Sequence, residues 1–424
     1  MPRNSADLLI VGASEVLTLG GASHRPRTGA EMNELGIIKD GVVAIKGGLI
    51  CDIGSLQKIY DKWSAPGIIH AEGRVVMPGF VDCHTHAVFA GSREIDFIKK
   101  IVRKSGREIS AVPAYLEILK GGGGILETVA KTREASEERL MIYAAFWLNN
   151  MLKYGTTTVE IKSGYGLSFE DELKILFAIK KLRGSKMDIV STFLGAHAFP
   201  PEKSREAYLK EIIDHMIPHI HVHELAKYCD VFCEAGAFSV EEAEKIIEIA
   251  RVWGLKIKLH AGEFNDLGAV ELGVKYGAVS IDHLDHISDS AILAMAEAET
   301  IGVLLPAVPF HLMTGHYAPA RKMIDAGVPI ALATDFNPGS APTFSMQMVI
   351  ALACRQMQMT PAEAITASTI NAAHAIGMEE KVGSLEIGKQ ADIIILDIDN
   401  YLQLPYWFGG NLAREVIKKG VIVS

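Results

Sequence analysis

Short apolar or β-branched runs recur along most of the chain, separated by stretches in which apolar residues return every three or four positions. The runs fall at Gly79–His84, Thr156–Ile161, Ile189–Leu194, Val231–Cys233, Leu255–Leu259, Val279–Ile281, Gly302–Leu305 and Ile330–Ala333. The intervening segments, such as FEDELKILFAIKKLR, VEEAEKIIEIARVWG and DSAILAMAEAET, have helical spacing. Eight such runs alternating with helices predict an α/β protein, a TIM-like (β/α)8 barrel rather than an open doubly wound sheet. The two ends read differently. LLIVGASEVLTL, GVVAIKGGLICDIG and HAEGRVVMPG near the start, and GSLEIGKQADIIILD and AREVIKKGVIVS near the finish, are strands punctuated by turn residues. We expect residues 1–75 and 381–424 to form one small β-sandwich-like domain, with the barrel at 76–380.

Reactive groups in such barrels gather at the C-terminal ends of the strands. The first run ends in Asp82-Cys83-His84-Thr85-His86, and residues two apart on a strand share a face, so His84 and His86 can face one ion. The fifth run ends at His260, the sixth in Asp282-His283 and the eighth in Thr334-Asp335. Histidines and a carboxylate from separate strand ends suit one divalent metal ion, zinc or iron, and on spacing alone His283 is as good a ligand as the others. Such an ion lowers the pKa of a bound water from about 15.7 towards roughly 7 and polarises a carbonyl, as amide hydrolysis requires. A carboxylate must then move protons, and Glu263 follows His260 on a loop. Arg93, after the first strand, suits a small-molecule substrate bearing a carboxylate, and on spacing alone an ion pair with Glu94 or Asp96 explains it equally well. Tyr165, His197, Asn337, Gly339 and Ser340 follow other strands on loops rich in hydrogen-bonding groups; turn chemistry alone also explains them.

Composition narrows the field. The 424 residues carry a net charge of -9, which does not favour nucleic acid. No apolar run reaches the roughly 20 residues of a membrane span, and Asp7 and Glu15 interrupt the N-terminal apolar stretch, unlike a signal peptide. Five scattered cysteines suit reduced thiols in the cytoplasm, and Cys229 and Cys233 read as apolar packing rather than a metal site. The four-glycine segment Gly121–Gly124 lacks the Gly-Lys-Ser/Thr of a phosphate loop. His219, His221 and His223 do not end a barrel strand and read as a mostly solvated helix or loop.

The segment PGFVDCHTH, Pro78–His86, resembles the first metal motif of the amidohydrolase superfamily, and GSLEIGKQADIIILD resembles its returning β-domain segment. HAVFAGSRE, GGGGILETV, EIKSGYGL, FLGAHAFP, CDVFCEAGAFS, LHAGEF and ATDFNPGSAPT together look like the imidazolonepropionase family, over nearly the whole chain. That resemblance implies hydrolysis of 4-imidazolone-5-propanoate to N-formimidoyl-L-glutamate in histidine degradation. It implies metal ligands at His84, His86, His260 and Asp335, and Arg93 on the propionate carboxylate. It puts Tyr165, His197, Glu263, Asn337, Gly339 and Ser340 around the ring and the product's groups. The resemblance also makes Glu263 and His283, with Asp335, the candidates for handling protons and orienting the attacking water, which moves His283 from ligand to orienting group, and it suggests a homodimer. Ser340 stands where threonine is as often expected, and the H-x-H-x-H run is not a family feature. The rivals are a deaminase acting on a nucleobase-like or imidazole ring, which would release ammonia, and a metal-free scaffold protein.

Overall fold

A computed structural model describes residues 3–21, 23–104 and 124–424; Gly121–Gly123 of the glycine segment lie outside them. Eight strands form one sheet in sequence order: β1 (Phe80–Asp82), β2 (Thr156–Lys162), β3 (Asp188–Ala196), β4 (Tyr228–Cys233), β5 (Lys256–Ala261), β6 (Ser280–His283), β7 (Ile301–Leu304) and β8 (Ile330–Leu332). Every neighbouring pair is parallel. This is the expected barrel, and each predicted run contributes its strand. Strands buried on both faces explain why the runs are nearly continuous in apolar and β-branched residues rather than alternating; all of β2 is buried. Several of the helices between them begin at serine caps. Ser168 accepts from the Asp171 amide before Phe169–Leu182, and Ser239 forms a reciprocal capping box with Glu242 before Val240–Val252.

The barrel closes between β1 and β8 through side chains and short bridges. Asp82 accepts hydrogen bonds from the Thr334 amide (3.0 Å) and hydroxyl (2.6 Å). Just beyond, the Asp335 amide donates to the His84 carbonyl at 3.0 Å and the His86 amide to that of Phe336 at 2.9 Å. These bonds bring the segment carrying His84 and His86 alongside Asp335.

The terminal segments build two further sheets. One holds Val421–Ile422, Ala413–Lys418, Ile393–Leu396, Val75–Pro78, Glu15–Leu17 and Ile37–Lys39 in that order; the other holds Leu49–Ser55, Gly41–Lys46, Leu8–Val11 and Gly67–His70. Ile10, Val43, Ile45 and Ile50 from the second pack against Val76, Ile393, Ile395 and Ile417 from the first. The strand Val75–Pro78 runs directly into β1, so this sandwich fixes the start of the barrel.

The Asp82 tie gives a stability test. Asp82→Ala leaves the buried Thr334 amide and hydroxyl without their acceptor, at about 1–3 kcal/mol for each donor left unpaired. Urea denaturation of the metal-depleted variant should show that loss; a midpoint equal to that of the unmutated protein would mean the closure does not depend on this contact.

Candidate metal centre and substrate pocket

His84, His86, His260, His283 and Asp335 meet at the C-terminal mouth of the barrel, all buried. The ligand atoms of His84, His86 and Asp335 lie within 4.8 Å of one another, and so do those of His84, His260 and His283, which makes His84 the common member. Asp335 Oδ1 is 3.3 Å from His84 Nε2 and 3.2 Å from His86 Nε2. The Nε2 atoms of His84 and His260 are buried without a hydrogen-bond partner, as are both ring nitrogens of His283. Buried polar atoms are rarely left unpaired, and a set of imidazole lone pairs facing a carboxylate is a donor set for a divalent cation. Burial would raise the Asp335 carboxyl, but the neighbouring His84 and His86 rings outweigh it and hold it well below the usual carboxylate range.

Below the mouth lies a layer of buried charge. Asp282 Oδ2 is 2.6 Å from His84 Nδ1, and Asp230 Oδ1 is 3.0 Å from His260 Nδ1. A carboxylate accepts the Nδ1 proton and so turns the Nε2 lone pair outward. Lys162 joins the two: its Nζ is 2.7 Å from Asp230, 3.5 Å from Asp282 and 3.1 Å from Glu160. Glu160 in turn meets the Lys258 ammonium at 2.9 Å. Burial opposes the charge on Lys162, but Asp230, Glu160 and Asp282 outweigh it and raise its pKa.

One cavity above this layer is lined by His86, Arg93, Tyr165, His197, Glu263, His283, Asp335, Asn337 and Ser340, with Ile125 and Phe232 as apolar wall. His197 donates from Nδ1 to the Gly164 carbonyl at 3.0 Å, its ring stacks on His86 at 5.1 Å, and burial lowers its pKa to about 3. It is therefore neutral, with Nε2 left as an acceptor. Burial, reinforced by Asp335, raises the Glu263 carboxyl well above its ordinary value. His283 lies 3.8 Å from Glu263, and burial lowers it to about 4. Its φ is 80° and that of Asp335 is 51°, left-handed conformations uncommon for these residues and of the kind that cluster at functional sites. Asn337 organises the turn after β8: its Oδ1 accepts from the Gly339 and Ser340 amides at 2.8 Å, and its Nδ2 donates to the Asp335 carbonyl at 2.7 Å. Gly339 has no side chain because Arg93 lies there; a Cβ would sit 1.9 Å from Cζ of the guanidinium.

The amidohydrolase family model matches residues 75–423. Imidazolonepropionase of Geobacillus kaustophilus is 46% identical over 423 residues, covering 98% of this chain and 97% of the relative. That of Streptococcus gordonii is 44% identical over 423 residues, with 99% and 98% covered. The chain belongs to the imidazolonepropionase family of amidohydrolases. Among solved structures, an adenosine deaminase from Xanthomonas campestris superposes with a TM-score of 0.72 at 18% identity, covering 99% of this chain and 93% of that one. E. coli guanine deaminase gives 0.72 at 15%, with 98% of each chain covered. Those two share the fold.

Every site residue expected of an imidazolonepropionase from the sequence is thus at or against one pocket. Other features stay apart from it. His219 is partly buried against the Phe169 ring at 5.3 Å, while His221 and His223 are exposed. Cys229 and Cys233 are buried in the barrel core, and Gly124 only precedes the helix Ile125–Glu134. The sequence reading missed Glu160, Lys162, Asp230, Lys258 and Asp282. The signal was there: Glu160 and Lys162, and Lys258 and His260, stand two apart in strands and so share an inward face.

Gly339→Ala must push the Arg93 guanidinium aside. The variant should keep its metal content and raise KM on the order of tenfold for a carboxylate-bearing substrate; an unchanged KM would show that Arg93 does not depend on this glycine.

Proposed function

We infer that this chain hydrolyses 4-imidazolone-5-propanoate to N-formimidoyl-L-glutamate, a step of histidine degradation. The observation that carries the reading is a pocket lined by both a metal-type donor set and Arg93, in a chain 46% identical over nearly its full length to an imidazolonepropionase.

The donors fit one divalent ion, zinc or iron, on His84, His86, His260 and Asp335; imidazole and carboxylate serve both metals. When bound, such an ion polarises the ring carbonyl and makes a water acidic enough to attack near neutral pH. The protein's own groups do the rest. Arg93 binds the propionate carboxylate through its fork of donors. Tyr165, His197 and the Asn337–Ser340 turn hold the ring and the groups that become the product's formimidoyl-glutamate. Ile125 and Phe232 keep bulk water from that side. Glu263 takes a proton from the attacking water and delivers it to the ring nitrogen, which leaves as the C–N bond breaks; the carbonyl carbon keeps the water's oxygen and becomes the new carboxylate. A carboxyl whose pKa is raised by burial is suited to both halves of that transfer. His283, neutral and 3.8 Å from Glu263, orients the water and supports the developing negative charge on oxygen.

We read residues 76–380 as the catalytic barrel and residues 1–75 with 381–424 as the small domain, and the protein as a cytoplasmic homodimer. All five cysteines are free thiols, and no described helix is long and apolar enough to cross a membrane.

Incubation with 4-imidazolone-5-propanoate should yield N-formimidoyl-L-glutamate without ammonia. Ammonia release from an exocyclic amine would favour a deaminase instead. Glu263→Gln should cut turnover by about 100-fold or more while metal content stays near wild type; undiminished turnover removes Glu263 from proton transfer. The substitution also has a stability signature. A carboxyl raised above its ordinary 4.5 in the folded state makes the folded protein lose stability as pH climbs from that value towards the raised one. Ion-free Glu263→Gln should therefore be the more stable protein above about pH 5, by a margin that grows with pH.

A further inference from the structure

Three consecutive acids, Glu170, Asp171 and Glu172, occupy the first turn of the helix Phe169–Leu182, where the helix dipole favours negative charge. Glu170 is exposed and Asp171 half-buried, as acids on a surface helix ordinarily are. Glu172 is buried at 0% exposure. A carboxylate taken out of water is costly unless its lone pairs are satisfied, so its partners indicate its role.

Those partners are backbone amides of the loop that carries Tyr165. Glu172 Oε2 accepts from the Gly164 amide at 3.0 Å, and Oε1 accepts from Gly166 at 2.7 Å and Leu167 at 2.9 Å. Arg133, on the helix Ile125–Glu134, holds the carbonyls of the same loop. It donates from Nε to that of Gly166 at 2.6 Å and from Nη2 to that of Leu167 at 3.0 Å. The backbone flanking Tyr165 is therefore clamped by an anion and a cation that do not line the substrate pocket.

The glycines let the loop come this close. A Cβ on Gly166 would sit 2.4 Å from the Glu172 backbone nitrogen, and one on Gly164, whose φ is 111°, would sit 2.8 Å from His197 Nδ1. His197 extends the chain of contacts: its Nδ1 donates to the Gly164 carbonyl, and its ring centre lies 5.5 Å from that of Tyr165. Gly164 thus gives its amide proton to Glu172 and offers its carbonyl to His197.

We propose that Glu172, with Arg133 opposite it, is the positioning residue for Tyr165 and His197, fixing both for the substrate ring without touching it. This rests on the reading of the pocket as an imidazolonepropionase site. Side chains that follow two different strands, β2 and β3, share one anchor, and a loop held in one conformation loses little conformational entropy when substrate binds. Tyr165 and His197 grip the ring in ground state and transition state alike, so loosening them weakens binding more than it slows the chemical step.

Glu172→Gln keeps the size of the side chain but turns an amino group towards at least one loop amide. On 4-imidazolone-5-propanoate it should raise KM about tenfold, with kcat changed by less than about twofold and metal content unchanged. Arg133→Gln should raise KM in the same way, by about threefold or more. In protein already carrying Tyr165→Phe and His197→Ala, adding Glu172→Gln should raise KM by less than about twofold, because the groups it positions have gone. A rise of about tenfold in that background as well overturns the proposal, since independent effects multiply, and marks Glu172 as a structural residue. An unchanged KM in the single variant overturns it too. If Glu172→Gln does not fold, Arg133→Gln decides by the same two comparisons. Wild type that leaves the imidazolone ring closed sinks the reading of the site itself. Wild type that opens the ring, with neither variant changing KM, sinks the positioning role alone.

Discussion

Imidazole lone pairs packed around a buried carboxylate form an arrangement that water-free protein does not tolerate unaided. What makes it tolerable here is the ionic layer beneath it. Asp282 and Asp230 each take the Nδ1 proton of one histidine, and Lys162 binds both acids while Glu160 and Lys258 complete the set. Each carboxylate fixes which nitrogen of its histidine faces upward, and the shared ammonium keeps two like charges from separating. Buried ion pairs contribute little to net stability, since desolvation offsets most of the attraction. Their role here is positional.

The barrel supplies that layer with its geometry. Parallel strands bring alternate side chains of β2, β4, β5 and β6 into one interior, at successive depths. Carboxylates and lysines occupy the lower level; the histidine cluster, Asp335 and Glu263, the groups proposed to hold the ion and move protons, occupy the strand ends and first loop residues. The Asp82–Thr334 tie then sets the first and last strands, which carry His84 and His86 and Asp335, side by side. The rest of the pocket lining comes from loops, so Arg93, Tyr165 and the Asn337 turn give the cavity beside the histidine cluster its particular shape.

Much of this was legible in the sequence. All eight strands were marked by apolar runs, because strands covered on both faces need them. The site residues were marked by their place at the ends of those runs. Three features were harder to see. Lys162, Asp230 and Asp282 look like interruptions in apolar segments, and a charge in a strand ordinarily means a solvent-facing edge; only closure of the sheet makes that face interior. The Asp82–Thr334 contact spans 252 positions and leaves no local trace. The helix Glu94–Lys104 was not among the helical stretches read from the sequence, and the exposure of its Ile95 and Ile98 appears only in the structure. Periodicity reports that a helix has two faces, not which one turns inward.

The metal centre is the claim on which the chemistry turns, and metal analysis tests it most directly. Purified protein should carry one zinc or iron ion per chain. Dialysis against a chelator should remove the ion together with imidazolone-opening activity, and one equivalent of metal should restore both. Protein stripped of metal that opens the ring at the untreated rate would contradict the account.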